Sequence, residues 1–180
     1  MKVIDILNNT DKAVFSFELV PPLKGGDINK IYEAIEPLIA LAPPFINITF
    51  HRDEVVYREY PDGTIKKVTV TKRPGSVALA AAIMRRYNVD MVPHIVCGGA
   101  TRHKIENELI DLNFLDIENV MALRGDPIPG ERFFTPEEGG HQYSCELVEQ
   151  ITRMNHGQYL DDTLTDAVPT NFCRSEERRV

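Results

Sequence analysis

Glu18 and Asp126 each close a run of apolar residues, and each stands just ahead of proline. Glu18 lies among Phe17, Leu19 and Val20, so burial and a raised pKa are expected, and a functional role is favoured over an idle strand-end carboxylate. Asp126 follows Val120 to Leu123 through Arg124 and Gly125, the pattern of a buried strand that ends in a charged turn. Parallel α/β enzymes hold their ligands at such carboxyl ends of strands and in the loops beyond them. The plainer alternative is a strand end whose Arg and Asp pair only with each other. His94, on a third apolar run, reads either as a satisfied core histidine or as a ligand-binding one. Strand alternation puts His94 and Cys97 on opposite faces, which disfavours a shared metal. Gly98-Gly99 lacks the rest of a dinucleotide fingerprint.

These residues need elements to position them. Val3, Ile4 and Leu7 predict a short helix, and Ala13 to Val20 a strand stopped by Pro21-Pro22. Asp27 caps a helix with Ile28, Ile31, Ile35 and Leu38 on its apolar face, and Pro37 should kink it. Phe45 to Phe50 forms the next strand, with Phe45, Asn47 and Thr49 on one face and Ile46, Ile48 and Phe50 on the other. Val55 to Thr71 alternates on both sides of Pro61-Asp62-Gly63-Thr64, as a β-hairpin does. Ser76 is expected to cap a helix through Met84, Met91 to Cys97 to form a strand, and Thr101 to cap a helix carrying Ile105, Leu109 and Leu112. Pro127 to Gln142 reads as a long functional loop, and Ser144 begins a helix bearing Leu147, Ile151 and Met154.

Strand ends recur at intervals of 31 residues (Glu18 to Thr49), 48 (Thr49 to Cys97) and 29 (Cys97 to Asp126). Removing the 21 residues from Glu54 to Pro74 shortens the long interval to 27. A strand-helix unit repeated about every 30 residues, with an inserted hairpin, describes a βαβ architecture.

The chain has 180 residues, a hydrophobic share of 43% and a net charge of -7, which fits one globular domain and not a broad nucleic-acid or anionic-membrane surface. Three scattered cysteines without a CxxC suggest neither a disulfide framework nor a zinc site, and no run is long enough for a signal peptide or membrane span. A cytoplasmic small-molecule enzyme is expected.

Phe15-Ser-Phe-Glu-Leu-Val-Pro-Pro22, Ile46-Asn-Ile-Thr49, Val92-Pro-His-Ile-Val-Cys97 and Met121-Ala-Leu-Arg-Gly-Asp-Pro127 occur in the order and spacing of the methylenetetrahydrofolate reductase family, which the chain resembles over residues 1–173. The resemblance implies the N-terminal part of a bacterial-type member. It implies a TIM-type (β/α)8 barrel, bound FAD, NADH or NADPH as hydride donor, and reduction of 5,10-methylenetetrahydrofolate to 5-methyltetrahydrofolate. By the same resemblance Glu18 is the general acid that opens the folate ring, a role that a raised pKa would suit. Asp126 matches the acidic residue close to flavin and pterin. Thr49 and Phe50 match positions near the flavin, Thr49 also facing the nicotinamide. His94, Arg124, Gly125 and, at a helix start, Ser144 match flavin-contacting positions.

A complete barrel needs about 250 residues, so this chain is expected to supply about the first four β/α units, in one domain over residues 1–173. Asn171 to Cys173 would begin a fifth strand. Arg174 to Val180, with five charges in seven residues, should not continue it. Those residues also resemble the in-frame translation of a common sequencing adapter, so 174–180 is expected to be a non-native tail. The isolated half-barrel is expected to be inactive and to self-associate through its open edges, whereas the full-length protein could form a homo-oligomer. Two other readings compete: a flavin-free barrel enzyme, such as an aldolase or pterin methyltransferase, using Glu18 and Asp126, and an adhesion module displaying Arg124-Gly125-Asp126.

Overall fold

A computed structural model describes residues 1–128 and 130–176. Five strands, β1 (Phe17–Leu19), β2 (Phe45–Ile48), β5 (Asp90–Val96), β6 (Asn119–Leu123) and β7 (Cys173–Glu176), form one parallel sheet in that order. Helices α2 (Ile28–Ile39), α3 (Ser76–Tyr87), α4 (Arg102–Phe114) and α5 (Ser144–Met154) connect successive strands. The alternation of parallel strands and helices is that of a partial (β/α)8 barrel. An antiparallel hairpin, β3 (Glu54–Glu59) with β4 (Ile65–Val70), interrupts the β2-to-α3 connection.

Local sequence explains most boundaries. Asp27 accepts the Asn29 N–H at 2.9 Å and starts α2, and Thr101 accepts the Lys104 N–H at 3.2 Å and starts α4. In the hairpin turn Asp62 accepts both the N–H and the hydroxyl of Thr64, while Gly63 takes the left-handed backbone at φ 77°. Pro37 is accommodated in the last turn of α2, whose helix runs to Ile39. Asn88 closes α3 in a left-handed conformation at φ 51°.

Ile46 and Ile48 of β2 and Ile95 of β5 point to the helix layer and are fully buried. There they join Ile83, Ile105, Leu109, Leu112, Leu147 and Ile151. Helix α1 (Val3–Asn8) lies at the opposite end of the sheet from the strand-end loops. The buried Asn119 side chain accepts from Val3 N–H and donates to Met1 O, and the N-terminal ammonium meets Asp90 at 2.7 Å. One end of the strands is thereby closed by chain, and the carboxyl end is left for ligands.

Three sequence expectations are corrected. The first strand is three residues long, not eight: Ala13 to Ser16 find no neighbour to pair with, since β1 borders only β2. Ser76 is the first helical residue of α3, preceded by Gly75 at the cap, and its buried hydroxyl caps nothing. The fifth strand continues past Cys173 through Glu176. Asn155 clamps its start, accepting from Phe172 N–H and donating to Phe172 O, both at 2.9 Å. At the sheet's edge Arg174 and Ser175 keep their side chains in solvent, so the charges that a buried strand would reject cost little. Residues 177–180, and Pro129 in the loop after β6, lie outside the described residues.

Candidate functional site

At the carboxyl ends of β1, β2, β5 and β6 the strand-end loops surround an open cleft of about 1370 Å3. Glu18, Thr49, Phe50, His94, Arg124, Gly125, Asp126 and Ser144, drawn from five separate segments, all line it. The register brings them to one level, since Leu19 pairs with Ile48, Ile48 with Pro93, and Val96 with Leu123.

Glu18 and His94 meet across the cleft, with Oε2 and Nε2 3.8 Å apart. Their environments differ sharply: the His94 side chain is 6% exposed and that of Glu18 58%. The expected burial of Glu18 is therefore corrected, because β1 is an edge strand and its side chain faces open cleft and not packed core. Next to it, Thr49 donates from Oγ1 to Leu19 O at 3.3 Å and also from its backbone N–H at 2.9 Å, joining the ends of β1 and β2. Behind β5, on the face away from the cleft, burial pushes the Cys97 thiol up to about 12, and nearby Glu146 adds to the shift. The thiol is neutral there and takes no part in the cleft's charge.

The turn after β6 depends on Gly125. Its φ is +86°, and a Cβ there would lie 2.7 Å from Val96 Cγ1. Only a glycine lets this backbone reverse against β5 and send Arg124 and Asp126 into the cleft. The Arg124 guanidinium stacks over Phe134 at 5.6 Å. Phe134 is the buried anchor of the long loop, which is further pinned where Arg102 N–H donates to Gly139 O at 3.1 Å. His141 contacts Gln150 at 2.5 Å, and Gln150 donates to Arg102 O. Glu146 accepts the Gln142 and Tyr143 N–H groups at 2.7 and 3.3 Å. These contacts fix the start of α5, and with it Ser144, at the cleft wall.

Sequence reasoning did not single out His51, Arg52, Lys72 and Arg73, which form another wall. Arg52 donates to Asp126 O at 3.4 Å, approaches Glu137 at 3.9 Å, and packs beside Gly98 and Gly99. It thereby links the loops after β2, β5 and β6 with the long loop. The available signal was position: Arg52 follows Thr49 and Phe50 directly, and Lys72-Arg73 returns from the hairpin to the same strand end. Burial, then the Arg73 charge, lowers the His51 pKa against an opposing pull from Glu54.

Chemically, the cleft combines a carboxyl beside an imidazole, a second carboxyl at a glycine turn, hydroxyl groups, a ring surface at Phe50, and several cations. Its volume exceeds the roughly 300–1,000 Å3 of ordinary small-molecule pockets, so it has room for an extended ligand together with a second one.

The family model described as methylenetetrahydrofolate reductase matches residues 2–178. Among curated relatives, "Methylenetetrahydrofolate reductase (NADH) 1" of Arabidopsis thaliana is 28% identical over 167 residues, covering 91% of this chain and 25% of the plant protein. "Methylenetetrahydrofolate reductase 1" of Schizosaccharomyces pombe is 27% identical over 155 residues, 84% of this chain and 23% of its own length. The "5,10-methylenetetrahydrofolate reductase" of Salmonella typhimurium is 26% identical over 133 residues, 74% of this chain and 38% of the bacterial protein. The chain thus spans about a quarter of the plant and yeast relatives. With its partial barrel, its strand-end cleft and a match running almost from end to end, the chain belongs to the methylenetetrahydrofolate reductase family.

Proposed function

We propose that this chain forms the N-terminal part of the catalytic barrel of a bacterial-type, cytoplasmic methylenetetrahydrofolate reductase. The protein would use FAD to pass a hydride from NADH or NADPH to 5,10-methylenetetrahydrofolate. The observation that carries this reading is the convergence of eight family-matching residues, scattered from Glu18 to Ser144, on one cleft. Family membership supports this choice of reaction.

The residues present fit a flavin. Phe50, Val96 and Leu123 offer apolar surface to a flat ring system, and Thr49, His94 and Ser144 offer hydrogen-bonding groups around it. Arg124 offers a guanidinium to a phosphate or a carbonyl oxygen. When bound, FAD supplies two-electron carriage between nicotinamide and folate.

The chain's own groups would handle protons and charge. Glu18 would donate a proton to the folate amine nitrogen as the five-membered ring opens, once bound ligand takes its exposed carboxyl out of solvent. His94, whose Nε2 stands 3.8 Å from that carboxyl, offers a ring nitrogen toward which it can be oriented. Asp126 places negative charge beside the cation that develops on the folate, where a preorganised carboxylate is most effective. Gly125 and Arg52 hold that carboxylate's backbone in place.

The two half-reactions separate the roles. In the protein expressed from its complete open reading frame, Glu18→Gln should leave bleaching of the bound flavin by NADH within about twofold of wild type. Transfer to methylenetetrahydrofolate should slow by at least about 100-fold. Stopped-flow spectroscopy measures both, and equal slowing of the two steps would remove Glu18 from the role of folate acid.

A further inference from the structure

Arg73 carries a charge that its surroundings do not neutralise. It stands where the hairpin returns to the body, half-buried in the cleft wall, and its guanidinium donates to the neutral Pro21 carbonyl. Among the described residues it makes no ion pair. The nearby carboxylate of Glu54 is taken by Lys72 at 2.5 Å. The Arg73 charge falls instead on the His51 ring, which burial and that charge together bias toward the neutral form.

The wall is also anchored. Lys24 N–H donates to Lys72 O at 2.9 Å, and the Arg73–Pro21 bond lies next to it, so the base of the hairpin is fastened to the loop after β1. On a chain of net charge -7, an arginine charge in the cleft wall that no ion pair among the described residues neutralises favours an anion brought by the ligand.

We propose that His51 and Arg73, where the chain enters and leaves the inserted hairpin, form a subsite for an anionic group, phosphate or carboxylate, on a molecule that enters the cleft. The subsite rests on the reading of this cleft as the place where a nicotinamide dinucleotide and a folate react. Within that reading the anion comes either from the dinucleotide's phosphates or from the folate's glutamate carboxylates. The hairpin is then part of the binding site and not an appendage to the barrel.

The test uses the protein from its complete open reading frame, as wild type and as Arg73→Met, Arg73→Lys and Lys67→Met. Lys67 is an exposed hairpin residue away from the cleft, so its loss changes net charge equally. Calorimetry gives dissociation constants for NADH against phosphate-free reduced nicotinamide riboside, and for folic acid against the primary amide of pteroic acid, which carries no carboxylate. Arg73→Met is expected to weaken NADH or folic acid about tenfold and to leave its uncharged congener unchanged. The pair that responds identifies the source of the anion. Arg73→Lys should retain most of the affinity, and Lys67→Met all of it.

The subsite is overturned if Arg73→Met weakens neither charged ligand, weakens charged and uncharged congeners alike, or matches Lys67→Met. It is also overturned if the wild type binds neither NADH nor folic acid. Flavin content of the same samples reads the parent assignment separately. A wild-type protein without flavin removes the folate-reductase reading, whereas flavin held equally by wild type and Arg73→Met, with no loss for either charged ligand, removes the subsite alone.

Discussion

Strands β5 and β6 each have a neighbour on both sides and lie beneath α3, α4 and α5, whose inward faces are fully buried at Ile83, Ile105, Leu109, Leu112, Leu147 and Ile151. Strand β1 has one neighbour, α2 buries only Ile35, and α1 buries no residue. The candidate site is divided between these two regions. His94, Arg124 and Asp126 stand on the heavily packed half, and Glu18 stands on the sparsely packed one. A proton donor on the adjustable side and a charge-bearing turn on the rigid side suit a site that must first admit a large ligand and then close around it.

The comparison breaks most easily in the core. Ile95→Ala, on the helix-facing side of β5, should cost about 3–4 kcal/mol of unfolding free energy. Val56→Ala, in the half-exposed hairpin, should cost under about 1 kcal/mol. Urea unfolding measures both, and equal losses would mean that the two regions are packed alike.

Gly125→Ala comes next. A left-handed backbone and a Cβ 2.7 Å from Val96 Cγ1 should together cost about 2 kcal/mol. Cleft function should fall further than stability, since Arg124 and Asp126 both move. A variant as stable as wild type would show that the turn relaxes freely.

The smallest effect sharpens the picture of the packed half, which carries one unfavourable group. Burial, opposed by Lys104 and reinforced by Asp111, raises Glu108 from 4.5 to about 7. Between those values the folded chain holds a proton that the unfolded chain has released, so stability falls as pH rises from about 4.5 to about 7. Glu108→Gln should therefore stabilise by about 1 kcal/mol at pH above about 7 and leave stability unchanged below about 4. Thermal unfolding across that range checks it, and a pH-independent difference would contradict it.

How far the sequence could be read follows the same division. The caps at Asp27 and Thr101, the Asp62-Gly63 turn and the strand ends near Thr49, Cys97 and Asp126 are encoded within a few residues, and they were legible. The length of β1, the exposure of Glu18 and the persistence of β7 through Arg174 depend on which neighbours a strand finds, which periodicity does not specify. Ser76 was misassigned by one position because Gly75 also accepts the cap geometry. Arg52 and Arg73 stayed hidden for a different reason. Arg73 is placed by the docking of the hairpin base on Lys24 and Pro21, segments about 50 residues away, and Arg52 by its reach to Asp126, 74 residues away.

The claim on which the account depends is that the strand-end cleft holds the flavin. FAD titration of the protein from its complete open reading frame, followed by quenching of flavin fluorescence, tests it with wild type, Arg124→Ala and the remote hairpin variant Lys67→Ala. The account predicts saturable binding that Arg124→Ala weakens by about tenfold or more and Lys67→Ala leaves intact. A protein that takes up no flavin, or one whose affinity is indifferent to Arg124, would contradict it.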